Sequence, residues 1–229
     1  VDYDYCPNYY LCPMAIFTLL KKDLQMEYRN KYAISGILLY MACIVFIIFM
    51  TFGQDLRGPV WVVLFWIIML FTAVNAVAKS FMQESAGRQL YYYTLANPRD
   101  IMLSKIIYNI FIMLFLAVIA LLFYSVTSGY PIVDNASFLL SLLLGAMAFA
   151  TTFSMISAIA SKASNSGTLM AILSFPLLIP IIIILIRISL NAIQQNNLDI
   201  NLQDLLYLAA LNVMIIALAM VLFPYLWRD

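Results

Sequence analysis

Residues 101–126 read IMLSKIIYNIFIMLFLAVIALLFYSV, and Lys105 carries the one charge in this run. A helix over this stretch rises about 39 Å, which exceeds the ~30 Å hydrocarbon core of a bilayer. A helix at the surface of a soluble protein keeps a polar face, whereas this run is apolar on nearly every side. We therefore predict that residues 101–126 form a transmembrane helix.

Five further runs have the same apolar character. The predicted spans lie at about Ile34–Phe52, Val60–Ala78, Phe138–Ala160, Thr168–Leu190 and Leu205–Leu226. The whole chain is 65% apolar and 10% charged, with a mean hydropathy of +0.97, whereas a soluble domain is roughly 45–50% apolar and 25% charged. We predict an all-α integral membrane protein with about six transmembrane helices.

Composition also excludes several classes of function. The net charge of +1 provides no basic surface for nucleic acid, and the absence of histidine removes the imidazole ligand that holds many metals and haem irons. No HExxH, GxSxG or GxxxxGK[ST] motif occurs, and the predicted spans hold no pair of carboxylates. Cys6, Cys12 and Cys43 form no CxxC, so we expect neither a disulfide nor a metal site from them. We predict no catalytic residue, no metal and no cofactor bound by this chain alone.

The first thirteen residues, VDYDYCPNYYLCP, are polar, tyrosine-rich and unlike the rest of the chain. They lack the basic start and apolar centre of a signal peptide. Either translation begins at Met14 or these residues form a short disordered extension, and we favour the first explanation. We assign residues 14–229 to a single membrane domain.

An amphipathic pattern follows over residues 15–33, where Phe17, Leu20, Leu24 and Tyr28 recur at spacings of three or four. Charged side chains fall between them, which is typical of a helix lying at a membrane surface. Two roles stay open for this helix, a basic collar before the first span or a contact with a cytoplasmic partner.

Lysine and arginine are distributed unevenly between the two predicted sides of the membrane. All but two of the twelve lie before the first span, between spans two and three or at the start of span three, between spans four and five, or after the sixth. The opposite side holds Arg57 and, near the outer end of span five, Arg187. Because cytoplasmic loops carry the excess of basic residues, we predict that both termini are cytoplasmic.

The connection between spans two and three, AKSFMQESAGRQLYYYTLANPRDIMLSKI (residues 78–106), is far more polar than its neighbours. Glu84 and Arg88 are spaced to pair along a helix. Pro98 ends any such helix, and Asp100 then lies near the N-terminus of the next one. This pattern favours a short cytoplasmic helix, a sharp turn and re-entry into the membrane, although a packed loop is the alternative. A permease would need such a helix to receive force from a separate ATPase.

The fifth span contains SFPLLIPIIIILIRISL (residues 174–190). Pro176 and Pro180 each remove a backbone donor, so the helix should kink or break there, as a gate or only for packing. Arg187 is a charge within a span, which marks a functional site unless its side chain reaches the outer interface. Other polar residues in the spans, Asn109 and Ser154 among them, have ordinary packing explanations.

Three stretches together resemble one family. They are KKDLQMEYRNKYA (21–33), ESAGRQLYYYTLANPRDIMLSK (84–105) and SKASNSGTLMAILSFPLLIPIIII (161–184), and the family is cytochrome c maturation protein B (CcmB), the haem-exporter permease. The similarity covers nearly everything from Met14 onward. The sequence YYYTLANPRD stands where many relatives have a more leucine-rich run, which places the chain in a divergent lineage.

The resemblance implies a six-helix permease of the type-2 ABC exporter kind in the bacterial inner membrane. Its partners would be an ABC ATPase subunit, which supplies ATP hydrolysis, other cytochrome c maturation membrane proteins including a haem-handling subunit, a second copy of itself, and lipid. Its substrate would be haem, or its work would release a haem-loaded chaperone. The alternative is a scaffold that transports nothing and assembles haem-delivery proteins.

The resemblance and the patterns above select two groups of residues. Coupling to the ATPase is assigned to Glu84, Arg88, Leu90, Tyr91, Pro98 and Arg99, and a gate or kink to Pro176, Pro180 and Arg187.

Overall fold

The computed structural model describes residues 31–53, 56–77, 98–161, 166–194 and 198–228, together with Leu20 and Gln25. These residues contain six long α-helices and no strand. The helices are α1 (Lys31–Phe52), α2 (Gly58–Ala76), α3 (Pro98–Ser128), α4 (Asn135–Ala160), α5 (Ser166–Gln194) and α6 (Leu198–Arg228). All six are long and apolar enough to cross a membrane, which confirms the predicted all-α membrane fold.

The helix ends follow from local chemistry. Gly53 and Gly129 adopt φ values of 63° and 76° directly after α1 and α3, a left-handed conformation that glycine adopts without steric cost. Asp134 precedes α4, and its carboxylate accepts hydrogen bonds from the backbone N–H groups of Ala136 and Ser137 at 3.1 and 3.3 Å. This N-cap satisfies two donors that the first turn of the helix would otherwise leave unpaired.

Helix α4 forms the centre of the bundle. In the most apolar 18-residue stretch of α4, 72% of the residues are buried, compared with 17–44% in the corresponding stretches of the other five helices. Small residues, among them Gly145, Ala146 and Ala148, let neighbouring helices approach its backbone closely. The peripheral helices expose large apolar side chains such as Leu39 and Phe115. These exposed faces suit contact with lipid.

One end of the bundle is defined by contacts between loops and helix ends. The indole Nε1 of Trp61 donates to the carbonyl of Gly129 at 3.0 Å, and the backbone N–H groups of Val133 and Asp134 donate to the carbonyl of Ala192 at 3.2 and 2.9 Å. The start of α2, the loop between α3 and α4, and the end of α5 therefore meet at the same end.

The observed helices refine two predictions. Helix α5 runs without interruption through Pro176 and Pro180, so neither proline breaks it. Helix α6 begins at Leu198 rather than at the predicted Leu205, because its first turns are polar and hydropathy detects only the apolar part. The predicted span at 101–126 lies wholly within α3, which begins at Pro98 as the proline position indicated.

Candidate functional site

Most residues that the sequence assigned to coupling lie outside the described part of the chain. These are Glu84, Arg88, Leu90 and Tyr91, and the amphipathic stretch 15–33 lies largely outside it as well. Pro98 and Arg99 are described, and they form the first turn of α3, where Arg99 is exposed. The structure thus places the point at which the polar connection enters the membrane bundle.

The N-terminal part of α3 carries a group of buried polar side chains. Asp100, Ser104, Lys105 and Asn109 are each at most 6% exposed. They form two pairs spaced four residues apart, Asp100 with Ser104 and Lys105 with Asn109, and each pair lies along one line of the helix. Buried charged groups are costly unless they are paired, so these side chains form a candidate functional cluster.

Asn109 is joined to α4 by a short hydrogen bond. Its amide Nδ2 donates to Ser154 Oγ at 2.7 Å, and Ser154 Oγ donates to the carbonyl of Ala150 at 2.6 Å. Asn109 and Ser154 are 1% and 0% exposed. The Ser154 hydroxyl therefore donates its proton within α4 and accepts a hydrogen bond from α3. These two bonds fix the positions of both side chains.

The two prolines of α5 lie on its exposed face. Pro176 and Pro180 share that face with Phe175, Ile179 and Ile183, which are 67%, 54% and 53% exposed. Each proline lacks the N–H that would bond the carbonyl four residues earlier. We therefore expect α5 to bend most readily in the segment around these two prolines.

Arg187 forms an ion pair across α5 and α6. Its Nη1 lies 3.4 Å from Oδ1 of Asp204, and the two side chains are 60% and 5% exposed. The arginine side chain is thus largely exposed, and it also pairs with a buried carboxylate. The pair holds the last turns of α5 against the first turns of α6.

The loop between α3 and α4 contains two groups with perturbed ionisation. Hydrogen bonds from the hydroxyl of Ser137 and from the backbone N–H groups of Ser137 and Ala136 hold the pKa of Asp134 below its ordinary value. Burial raises the pKa of Tyr130. Because the lowered pKa belongs to the folded state, the capping contribution of Asp134 is present at neutral pH and is lost as pH falls through that pKa.

Sequence reasoning named Asn109 and Ser154 separately and gave each a packing explanation. It placed Asp100 at a helix N-terminus and Lys105 in the run 101–126 without predicting their burial, and it did not select Asp204. The two pairs of polar residues spaced four apart, Asp100 with Ser104 and Lys105 with Asn109, were a usable signal. No local pattern, in contrast, pairs Asn109 with a residue 45 positions away.

Within the described ranges, no group of three or more cysteine, aspartate or glutamate side chains is placed to hold a metal ion. Cys43, on α1, is an exposed free thiol.

A comparison with protein families matches residues 14–225 to the family described as CcmB protein. A search of curated proteins finds no match.

Proposed function

Since this chain belongs to the CcmB family, the haem-exporter membrane subunit of cytochrome c maturation, we propose that it couples ATP hydrolysis in a separate subunit to haem movement. As a member of that family it is a transport subunit and not itself an enzyme. The coupled event would be export of haem or release of a haem-loaded chaperone on the outer face.

The observation that carries this proposal is the continuity of α3. The helix has 31 residues, which correspond to about 46 Å against a ~30 Å hydrocarbon core. Its first eight residues include Arg99, Asp100, Ser104 and Lys105, so the excess length belongs to this end. A helix that projects from the bilayer at the end of a polar connection is suited to receive force from outside the membrane.

The coupling contact itself would lie in the segment before α3. We assign it to Glu84, Arg88, Leu90 and Tyr91, with Pro98 and Arg99 joining the segment to the helix. Glu84 and Arg88 would form an ion pair that stabilises the proposed short helix. Leu90 and Tyr91 would pack against the ATPase subunit. Exposure of Arg99 at the base of α3 supports this assignment.

The charge distribution supports a proposed orientation in the membrane. Arg57 and Arg187 lie toward the end of the bundle that holds Gly129 and Asp134, whereas Arg99 and Lys105 lie at the other. We propose that the second end is cytoplasmic, with both termini inside and the chain in a bacterial inner membrane.

The complex would contain further membrane chains. This chain has no histidine to ligate haem iron, so another subunit would hold the iron, and an ATPase subunit would bind ATP. A second copy of the chain would complete the transmembrane unit. Within it, the proline face of α5 with Arg187 at its outer end would serve as the mobile gate.

The experiment that tests coupling uses the reconstituted complex with Glu84→Ala and Arg88→Ala introduced together. We expect the ATPase subunit to co-purify while delivery of haem to c-type cytochrome is lost, because the segment would bind without transmitting movement. Three quantities are measured: co-purification, ATP hydrolysis and cytochrome maturation. Arg57→Ala, which removes an exposed charge at the opposite end, is the matched control.

If the double variant hydrolyses ATP and matures cytochrome at the normal rate, the coupling role is wrong. A scaffold that only assembles haem-delivery proteins would then explain the data. Loss of maturation with the ATPase subunit still bound favours the permease, since a scaffold needs the contact but not the transmission of work.

A further inference from the structure

Helices α2 and α5 expose apolar side chains on the same side of the bundle. The indole Nε1 of Trp66, on α2, donates to Ser189 Oγ, on α5, at 2.9 Å, so these two residues mark the line along which the helices meet. Ile67 follows Trp66 by one residue, and Ile183 precedes Ser189 by six. At 3.6 residues per turn, each isoleucine lies roughly 100–120° around its helix from that line, in the direction of increasing residue number. Because α2 and α5 are antiparallel, these two rotations lead to the same side.

The exposed side chains of this side form a continuous surface across the two helices. Val63, Ile67 and Phe71 of α2 are 37–46% exposed, and Phe175, Ile179 and Ile183 of α5 are 53–67% exposed. We call these six residues the α2–α5 surface. A two-fold axis along the membrane normal can pair such a surface with itself, because the rotation sets α2 of one copy against α5 of the other.

Two backbone carbonyls next to this surface lack their helical donors. Pro176 and Pro180 have no N–H, so the carbonyls of Ile172 and Pro176 receive no bond from the residue four positions on. Ile172 and both prolines are exposed. Carbonyls freed by proline are tolerated in a membrane helix where a neighbouring helix, a polar side chain or water satisfies them, whereas lipid tails offer no donor. This part of α5 therefore requires a donor from another source.

The exposed side of α2 carries a side chain that can supply such a donor. Asn75 is exposed, and its Nδ2 donates to the carbonyl of Phe71 in its own helix at 2.9 Å. An amide nitrogen carries two protons, so one remains for a second acceptor. Asn75 lies nine residues after Trp66, which places it on the side of α2 turned away from α5 of the same chain. The acceptor that it meets therefore belongs to another molecule.

Asn75 and Pro176 lie at the same depth in the bundle. The outer ends of α2 and α5 approach closely, since a Cβ on Gly58 would lie 3.2 Å from the side chain of Ile193. Asn75 is seventeen residues after Gly58, and Pro176 is seventeen residues before Ile193. Both are thus about 26 Å from the outer contact. A two-fold rotation about the membrane normal preserves depth, so it brings the amide of one copy level with the proline segment of the other.

We propose that the α2–α5 surface is the interface with a second copy of this chain, and that Asn75 of each copy donates to a carbonyl freed by Pro176 or Pro180 in the other. The proline segment is incomplete in one chain, and the second copy completes its backbone hydrogen bonding. This inference rests on the second copy in the proposed function and adds to it the surface and the contact that join the two copies.

The first test locates the interface by cross-linking in the membrane. Two differently tagged copies without the native cysteines, one with Ile67→Cys and one with Ile183→Cys, are produced together in cells that also express the ATPase subunit. Both positions lie about 14–15 Å from the outer contact, so they should meet across the interface. After oxidation with copper–phenanthroline, we expect a covalent dimer that carries both tags. Phe115→Cys, exposed on α3, replaces Ile67→Cys in the matched control and should give no such dimer.

The second test asks whether Asn75 acts through the prolines. The dissociation constant of the dimer is measured for the full chain by energy transfer between labelled copies in phosphatidylcholine vesicles. We expect Asn75→Leu to raise it about fivefold, equivalent to about 1 kcal/mol. With Pro176→Ala and Pro180→Ala present, the restored N–H groups satisfy the carbonyls, and Asn75→Leu should then change it less than about twofold. A role for Asn75 in packing alone would give the same increase in both backgrounds.

The inference is overturned if no doubly tagged dimer forms, or if the Phe115→Cys control gives an equal yield. An equal effect of Asn75→Leu with and without the prolines rejects the proposed contact. Should the cysteine variants fail to accumulate, the measurements in vesicles decide. Self-association that cross-links through Phe115→Cys rejects this surface and leaves the second copy in place. Absence of self-association in both tests rejects the second copy as well, whereas Glu84→Ala with Arg88→Ala judges the coupling role separately.

Discussion

At the scale of single residues, Gly145 shows how tightly the centre of the bundle is packed. A Cβ at this position would lie 2.8 Å from ring atoms Cη2 and Cζ3 of Trp66 and 2.9 Å from Cδ2 of Leu185. The indole is fully buried and is held by its bond to Ser189, so it has little freedom to move away. Glycine is therefore required at Gly145 by the close approach of α2 and α5.

We predict that Gly145→Ala destabilises the protein by about 1–3 kcal/mol, the usual cost of inserting a methyl group into a filled core. The measurement is the thermal unfolding midpoint of the purified protein in detergent. Gly36→Ala is the matched control, because a Cβ there meets no atom within 4 Å in α1. Gly36→Ala should leave the midpoint unchanged or raise it, since alanine favours helix. An unchanged midpoint for Gly145→Ala would show that the Trp66 indole moves enough to accommodate the added methyl group.

At the scale of helices, α5 combines continuity with weakened backbone bonding. Pro176 and Pro180 sit within an unbroken helix, so other backbone bonds and packing by Leu178, Ile181 and Leu185 keep it together. The carbonyls of the residues four positions before each proline lack their helical donors. Such a helix keeps its path yet bends at lower cost than its neighbours.

We predict that Pro176→Ala with Pro180→Ala leaves the unfolding midpoint unchanged or higher, because two backbone hydrogen bonds become available. If bending of α5 is the gate, haem delivery per ATP hydrolysed should fall about tenfold, which corresponds to about 1.4 kcal/mol. Pro224→Ala, in the last turns of α6, is the control and should leave haem delivery unchanged. Full delivery by the double variant would mean that the prolines serve packing alone.

At the scale of the whole molecule, the six helices divide the charges between two ends. The predicted orientation makes the end with Val133 external and the end with Arg99 cytoplasmic. Both side chains are exposed, so cysteines introduced there would be accessible from solvent.

In a variant with Cys6, Cys12 and Cys43 changed to serine, we predict that Val133→Cys reacts with a membrane-impermeant maleimide in intact cells. Arg99→Cys should react only after the membrane is permeabilised, because it lies on the positively charged side. Labelling is read as a mass shift on a gel. If Val133→Cys is protected and Arg99→Cys is labelled in intact cells, the orientation is the opposite of the predicted one.

Much of the fold was predictable because its determinants are local. Five of the six predicted spans begin within four residues of the first residue of the observed helix. The sixth was predicted to start too late, because the first turns of α6 are polar. The length of an apolar run and the bilayer thickness suffice to place such helices. The candidate site was predictable only in part, since Glu84 and Arg88 are named by pattern whereas the partners of Asn109 and Asp204 are not.

The sequence by itself determined the class of the protein, its six spans, the sorting of charges to two sides and the resemblance to CcmB. The class and the spans depend on the free energy of moving each apolar run from water to lipid, which is nearly independent of the other runs. Only the tertiary structure decided that α4 is central, that Asn109 meets Ser154 and that Arg187 neutralises Asp204. Such pairings depend on the packing angle and depth of whole helices, and these are fixed by many weak contacts between residues that are distant in sequence.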